Sequence, residues 1–177
     1  LKLENHRIKI LEMINFISPY IELPKKLTVK QNLNVYAKLY KVQNIEERIE
    51  YLSEKLRIEE LLDSITGELS SGQKNRVSLA KALINEPRVL LLDEPTASLD
   101  PEVGDFVRTF LEEYKQEKKI SILLASHNMS EVQRLCKSVL MMKNGKIIDQ
   151  GKPDDLIAKH GRTNLEEVFL KLSRSKS

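Results

Sequence analysis

Four short stretches hold residues whose types and spacing could handle a phosphate. Asp93 and Glu94 come directly after the run Arg88-Val89-Leu90-Leu91-Leu92, and Pro95 stops that run from continuing. A short unbroken apolar run reads as a strand buried on both faces. Ligands of open parallel sheets bind outside the C-terminal strand ends. An Asp placed there can hold Mg²⁺, directly or through water, because that ion keeps several waters and takes few carboxylates. A Glu beside it can orient and polarise a water for attack on a phosphoryl group. Taken alone, such a pair is more often a solvated acidic turn.

Leu69-Ser70-Ser71-Gly72-Gln73 opens a predicted helix. A Ser and a Gly at a helix start leave backbone N–H groups open to a phosphate, and the helix dipole adds its positive end. The plainer account is an ordinary Ser N-cap. His127 follows a second apolar run, Ile120 to Ala125. If that strand neighbours 88–92, His127 lies near Glu94 and within reach of a terminal phosphate; otherwise it is an exposed loop histidine. Ser98-Leu99-Asp100 precedes Pro101, and Asp100 also has a plain role as a helix cap.

The elements that must position these residues follow from capping signals and periodicity. Leu1 to Lys9 alternates weakly, and the apolar stretch Leu11 to Ile17 ends in a strand before Ser18-Pro19 and Pro24 force a loop. Thr28 with Gln31 makes a capping box, and Val29, Leu33, Tyr36 and Tyr40 share one helix face. Asn44 with Glu47 opens a second helix with the stripe Ile45, Ile49, Leu52 and Leu56, and Ile58, Leu61 and Leu62 add a short third. Residues 72–85 form a helix with Val77, Ala80, Leu83 and Ile84 inward. Val103, Phe106, Val107, Phe110, Leu111 and Tyr114 give the cleanest stripe, so its three aromatics belong to a core. Ile120 to Ala125 reads as another buried strand, and Ser130 with Gln133 boxes a helix through Leu135. Asn144-Gly145 turns a hairpin between 139–142 and 146–148. Residues 153–159 and 164–172 close the chain as helices, with a frayed basic tail from Lys171. Strand, helix, strand, helix means a parallel sheet with crossovers, an α/β fold, and residues 28–65 form a small all-helical insert.

Composition sets the outer limits. The chain has 177 residues, 41% hydrophobic and 31% charged, which suits one ordinary domain with a true core rather than a disordered chain. Lys+Arg 29 against Asp+Glu 26 leaves +3, too mild to argue for nucleic acid, and no basic stripe with interleaved aromatics supports it. One cysteine, Cys136, excludes an intrachain disulfide and reads as a small apolar core residue in reducing surroundings. No run of about 18 apolar residues is present to span a bilayer. His6 and His160 read as surface residues without partners. A first residue of Leu1 rather than Met implies a piece of something longer.

In this order and spacing, the four stretches resemble the ATP-binding cassette (ABC) transporter nucleotide-binding domain, over essentially the whole chain. Leu69–Gln73 (LSSGQ) is similar to the family signature, usually LSGGQ. Leu90–Thr96 (LLLDEPT) is similar to the Walker B strand with its catalytic Glu, Ser98-Leu99-Asp100 to the D-loop, and Ser126-His127 to the switch histidine. Met141 to Lys146 and Gly151 match the strands that follow.

The resemblance implies an α/β fold with a P-loop NTPase-like parallel sheet core, crossover helices and a small all-helical subdomain. Residues 1–27 would be core strand and Q-loop region, 28–86 the helical subdomain with the signature, 87–152 the core from Walker B to hairpin, and 153–177 the C-terminal helices and tail. It implies ATP and Mg²⁺ as ligands, with Asp93 on the metal, Glu94 positioning the attacking water and His127 on the γ-phosphate. Ser70, Ser71, Gly72 and Gln73 would close on the nucleotide of a second nucleotide-binding domain, with Asp100 bridging the two sites. Transmembrane permease subunits would be the other partners, holding the chain peripherally on the cytoplasmic face of the cell membrane. Leu27 to Leu33 and Asn164 to Phe169 look most like exporter-type subunits.

Two departures bear on this. G-x-x-x-x-G-K-[ST] occurs nowhere in the 177 residues, so the chain alone should bind ATP poorly and hydrolyse none. Where the loop before the insert usually carries a Gln reaching metal and water, Ser18 or Pro19 stands, and neither replaces an amide. Metal coordination or coupling would be altered. Two other readings compete: a soluble ABC ATPase acting in translation or DNA repair, and a non-catalytic remnant serving as an interaction protein.

Overall fold

The structure is a computed structural model that describes residues 2–97 and 99–174. It divides into two compact units, Leu1–Ala125 and Ser126–Ser177. Among the described residues no helix is long and apolar enough to cross a membrane.

The first unit opens with helix α1 (Leu3–Glu12), where weak strand-like alternation had been expected. Ile8 and Leu11 on it are exposed, so it buries no stripe that periodicity could report. Glu4 in its first turn and Lys9 in its last suit the helix dipole. Strand β1 (Ile14–Ile17) follows as expected. Helices α2 (Val29–Leu39) and α3 (Ile45–Leu56), two 3-10 turns at Glu59–Leu61 and Thr66–Glu68, and helix α4 (Ser71–Leu83) make the helical insert. Thr28 caps α2 through the expected box: its Oγ1 accepts from the Gln31 N–H at 3.1 Å, and the Gln31 Oε1 accepts from the Thr28 N–H at 2.9 Å. Val29, Leu33 and Ala37 of α2 are fully buried, as are Leu52 and Leu56 of α3 and Leu79 and Leu83 of α4.

Arg48 binds these helices together. From α3 its guanidinium donates to Leu83 O at 2.5 Å and Ile84 O at 3.3 Å, at the end of α4. It also donates to the Tyr114 hydroxyl at 3.0 Å and pairs with Glu86 at 3.1 Å.

Strand β2 (Val89–Asp93), helix α5 (Pro101–Lys118) and strand β3 (Ser121–Ala125) complete the unit. Asp100 caps α5, its Oδ1 accepting from the Val103 N–H at 3.0 Å, and Pro101 fills the first turn. Phe110 and Tyr114 are buried as expected, whereas Phe106 is half-exposed beneath the Arg57 guanidinium. The sheet is parallel in the order β1-β2-β3, so the run 120–125 does neighbour the run 88–92.

Burial of these strands on both faces, the expectation from their apolar runs, is not what the structure has. Asn15, Ile17, Leu90 and Leu92 share a buried face. The opposite face carries the register row Phe16, Leu91 and Leu123, in which Phe16 is 40% and Leu123 64% exposed. An unbroken apolar run permits cover on both sides, but within this unit only one side is packed.

In the second unit, helix α6 (Met129–Leu135) is capped by Asn128, whose Oδ1 accepts from the Glu131 N–H at 3.2 Å. The expected Ser130–Gln133 box is therefore replaced by Asn128 two residues earlier, and the Ser130 hydroxyl itself donates to Asn128 Oδ1. Both spacings match a helix start, and the extended backbone of Asn128 decides between them. Strands β4 (Val139–Lys143) and β5 (Lys146–Gly151) form the expected hairpin. Its turn needs positive φ at both central residues, met by Asn144 at 50° and Gly145 at 74°. Helices α7 (Pro153–His160) and α8 (Leu165–Arg174) follow, so Lys171 to Arg174 are helical rather than frayed, while 175–177 lie outside the described residues.

His160 is not the partnerless surface residue the sequence suggested. Its Nε2 lies 2.6 Å from Asp149 Oδ2, and the Lys159 ammonium is 2.7 Å from Oδ1 of the same carboxylate. Lys159 and His160 together hold the Asp149 carboxyl down at about 2, against an ordinary 3.8. A depressed carboxylate contributes stability that is present above its unfolded value and lost as pH falls through the folded one. Stability of the hairpin against α7 should therefore decline between pH 3.8 and about 2. In Asp149→Asn that acid-dependent loss should disappear, which amide exchange in 146–160 followed against pH would detect.

Candidate functional site

Asp93 is the last residue of β2, and Ser18 comes directly after β1, its parallel neighbour. Shared strand direction brings both to one sheet edge, where the Ser18 hydroxyl donates to Asp93 Oδ2 at 3.1 Å. Glu94 turns the chain sharply away with φ at 49°, a left-handed conformation uncommon for a residue with a side chain. Its N–H donates to Ala125 O at 2.8 Å and its own carbonyl accepts from the Ala97 N–H at 3.1 Å, so backbone hydrogen bonds hold that turn from both sides. Such a backbone at a candidate reactive residue is where strain is most often found.

Helix α4 reaches the same place. Its N-cap Ser70 forms a capping box: Ser70 Oγ accepts from the Gln73 N–H at 3.3 Å, and the Gln73 Oε1 accepts from the Ser70 N–H at 2.8 Å. The plain N-cap account of this serine is thus correct as far as it goes. One turn on, the Asn75 amide donates to Pro95 O at 2.7 Å, gripping the peptide next to Glu94. A cavity of about 210 Å³ lies between these elements, with Ser18, Lys25, Ser71, Lys74, Asn75 and Glu94 in its lining. Lys25 pairs with Glu22 at 2.7 Å and holds that carboxyl below its ordinary range.

So the structure brings Asp93, Glu94, Ser71 and Ser18 into one neighbourhood. Lys74 and Asn75 join them without a signal in the sequence, since polar residues on an exposed helix turn are common. A helical reading of 72–85 does place Asn75 one turn after Ser71. Asp100 is exposed at the start of α5, and Ser98 lies outside the described residues. His127 belongs to the second unit, where its side chain is exposed between Ser126 and Asn128.

A buried cation adjoins this region. Lys81 of α4 is 8% exposed, donates to Phe16 O at 3.2 Å and lies 4.9 Å from the Phe16 ring and 5.3 Å from that of Tyr36. Burial lowers its ammonium below the ordinary value.

For a metal, the donors at the sheet edge are the Asp93 carboxylate and the Ser18 hydroxyl, both hard oxygens. Among the described residues no group of three or more His, Cys, Asp and Glu could form a protein cage. This set suits an ion that keeps most of its own water, as Mg²⁺ does.

The family model described as ABC transporter matches residues 4–97, more than half of the chain. The chain belongs to the ABC transporter family. Its fold is that of the ABC ATPases, an α/β P-loop NTPase-like core with an all-helical insert. It superposes on the solved structure of an ATP-binding subunit of an ABC transporter with a TM-score of 0.83 at 26% identity, covering 97% of this chain and 73% of that one. The Nod factor export ATP-binding protein I of Rhizobium sp. (strain N33) is 35% identical over 158 residues, 88% of this ABC chain and 52% of that protein. The methionine import ATP-binding protein MetN 3 of Shouchella clausii (strain KSM-K16) is 34% identical over 164 residues, 92% of this chain and 48% of that protein. The chain thus spans about half the length of the curated relatives it matches.

Proposed function

We propose that this chain serves in the ATP-binding, ATP-hydrolysing subunit of an ABC transporter, of exporter type, and that the 177 residues alone are inactive. The observation that carries the reading is Asp93 and Glu94 at the C-terminal end of a parallel strand, with Glu94 lining one cavity with the first turn of the signature helix. Likeness to both an exporter's and an importer's ATP-binding protein fits a transporter subunit. The exporter assignment rests on Leu27 to Leu33 and Asn164 to Phe169. A second ABC nucleotide-binding domain and membrane-spanning permease subunits would be its partners, with the chain on the cytoplasmic face. The boundaries 1–27, 28–86, 87–152 and 153–177 stand as the proposed functional division.

In this reading Asp93 and Ser18 would hold Mg²⁺, which when bound neutralises charge on the transferring phosphate oxygens. Glu94 accepts a proton from the water as its oxygen bonds to the γ-phosphorus and the bond to the ADP oxygen breaks. His127 donates to a γ-phosphate oxygen, and Asp100 bridges to the second subunit. Ser70, Ser71, Gly72 and Gln73 present the start of α4 to the nucleotide of that subunit. Gln73 would do so with its amide nitrogen, since its Oε1 already serves the cap.

Gly72 offers the test. A Cβ there would meet only Val103, at 3.6 and 3.8 Å, which is ordinary contact, and its φ is not left-handed. Packing inside the unit does not require glycine, and in this reading the demand for it would come from the nucleotide of the second subunit. Gly72→Ala should leave the melting temperature of the chain unchanged or raised, because Ala favours the helix. In the assembled transporter it should cut ATP turnover by about 10²-fold, the usual cost of disturbing one backbone phosphate donor. Full turnover in that variant would defeat the signature assignment, and Mg²⁺-dependent turnover by the 177 residues alone would defeat the claim of inactivity.

A further inference from the structure

His127 is flanked by two residues tied into one ring of hydrogen bonds, and the ring closes on a carboxylate that the reaction scheme does not use. Glu131 of α6 is fully buried, unusual for a carboxylate. Its Oε2 accepts from the Ser126 hydroxyl at 2.8 Å, and Ser126 Oγ accepts from the Asn128 N–H at 3.1 Å. Asn128 Oδ1 then accepts from the Glu131 N–H at 3.2 Å, returning to the residue where the ring began. The three bonds enclose the residue between Ser126 and Asn128, which is His127. Its backbone is thereby fixed on both sides, and the residue itself is exposed.

We propose that Glu131 is the positioning residue for His127. It sets the direction of the imidazole through Ser126 and Asn128 without touching substrate. A capping role for α6 would not need this carboxylate, because Asn128 Oδ1 already supplies the cap. Nor would solubility call for a carboxylate with no exposed surface. What the buried carboxylate adds is a fixed acceptor for the Ser126 hydroxyl, and that hydroxyl in turn receives the N–H immediately after His127. Its value for ATP hydrolysis rests on the role proposed above for His127, but the positioning itself does not.

The test uses the full 177-residue chain without nucleotide, by NMR. With only three histidines, the His127 Cε1–H signal is assigned by its loss in His127→Ala. Glu131→Leu and Ser126→Ala should each shift that signal and speed exchange of the Asn128 amide by about fivefold or more, the loss of one ordinary hydrogen bond. Glu131→Gln keeps an acceptor for the Ser126 hydroxyl and should restore both readouts. The Cys136 amide, which donates to Val132 O at 3.0 Å, reports whether α6 survives. An unmoved His127 signal and Asn128 exchange, with the Cys136 amide still protected, overturns the proposal. If Glu131→Leu melts α6, Ser126→Ala decides: a shift supports the proposal and none overturns it. In the assembled transporter, Glu131→Leu should lower kcat with KM unchanged and Glu131→Gln should not. A displaced His127 signal with unaltered kcat would leave the positioning intact and sink the phosphate role of His127 instead.

Discussion

Glu94→Gln in the assembled transporter should lower ATP turnover by about 10²- to 10⁴-fold, the range supplied by a positioned general base. The substitution is close to isosteric, but an amide cannot take a proton from the attacking water. The backbone around it should survive, because bonds to main-chain atoms hold the left-handed turn at residue 94: its N–H to Ala125 O, its carbonyl from the Ala97 N–H, and the next carbonyl from the Asn75 side-chain amide. ATP should still bind, so the variant should accumulate as an ATP-bound dimer of nucleotide-binding domains. Phosphate release and the elution volume with ATP measure the two halves of this expectation. Unchanged release would remove Glu94 from its assigned role, and lost binding would mean that the turn, not the carboxylate, had been damaged.

Arg48→Met should destabilise the first unit by about 2–4 kcal/mol, the cost of leaving part-buried acceptors short of a donor. The Arg48 side chain is 9% exposed. Met fills much the same volume, so the loss is polar. Ile84 O, a carbonyl at the end of α4, loses its donor, and Leu83 O is left with the Glu86 N–H alone, at 3.1 Å. The Tyr114 hydroxyl loses one as well, and a cation leaves the negative end of a helix. The ion pair with Glu86 is the small part, since that carboxylate is 61% exposed. Glu86→Ala should therefore cost under about 1 kcal/mol. Urea midpoints of the two variants separate the accounts, and equal shifts would show that the buried hydrogen bonds contribute little.

What could be read in advance was local. Thr28 with Gln31, Asp100 with Pro101 and Asn144 with Gly145 act over three residues or fewer, and their structures match because the chemistry is complete within that span. The parallel sheet follows from alternation of helix and strand, and the apolar run before Asp93 and Glu94 marks the strand end at which they stand. Legibility stopped where partners are far apart in the chain. Ser18 and Asp93 meet only because β1 and β2 pair, so a serine that cannot replace an amide nonetheless reaches the carboxylate. Arg48 with Tyr114, Asn75 with Pro95 and Asp149 with His160 depend likewise on packing that no spacing rule encodes. Helix α1 was missed for the opposite reason, having local structure but no buried face to give it a period. At Asn128 two overlapping cap signals competed, and only backbone conformation chose between them.

The pairing of β1 with β2 also sets an order of events in time. Ile14 meets Val89 only after the whole helical insert has been threaded between them, whereas the contacts within that insert join neighbouring helices. Contacts between near neighbours form quickly, and closing a long loop is paid in entropy before the sheet returns anything. The insert should therefore collapse first and act as a spacer that shortens the effective loop. The sheet edge where Asp93 and Ser18 meet should therefore assemble after the insert, so the candidate site would be completed late in folding.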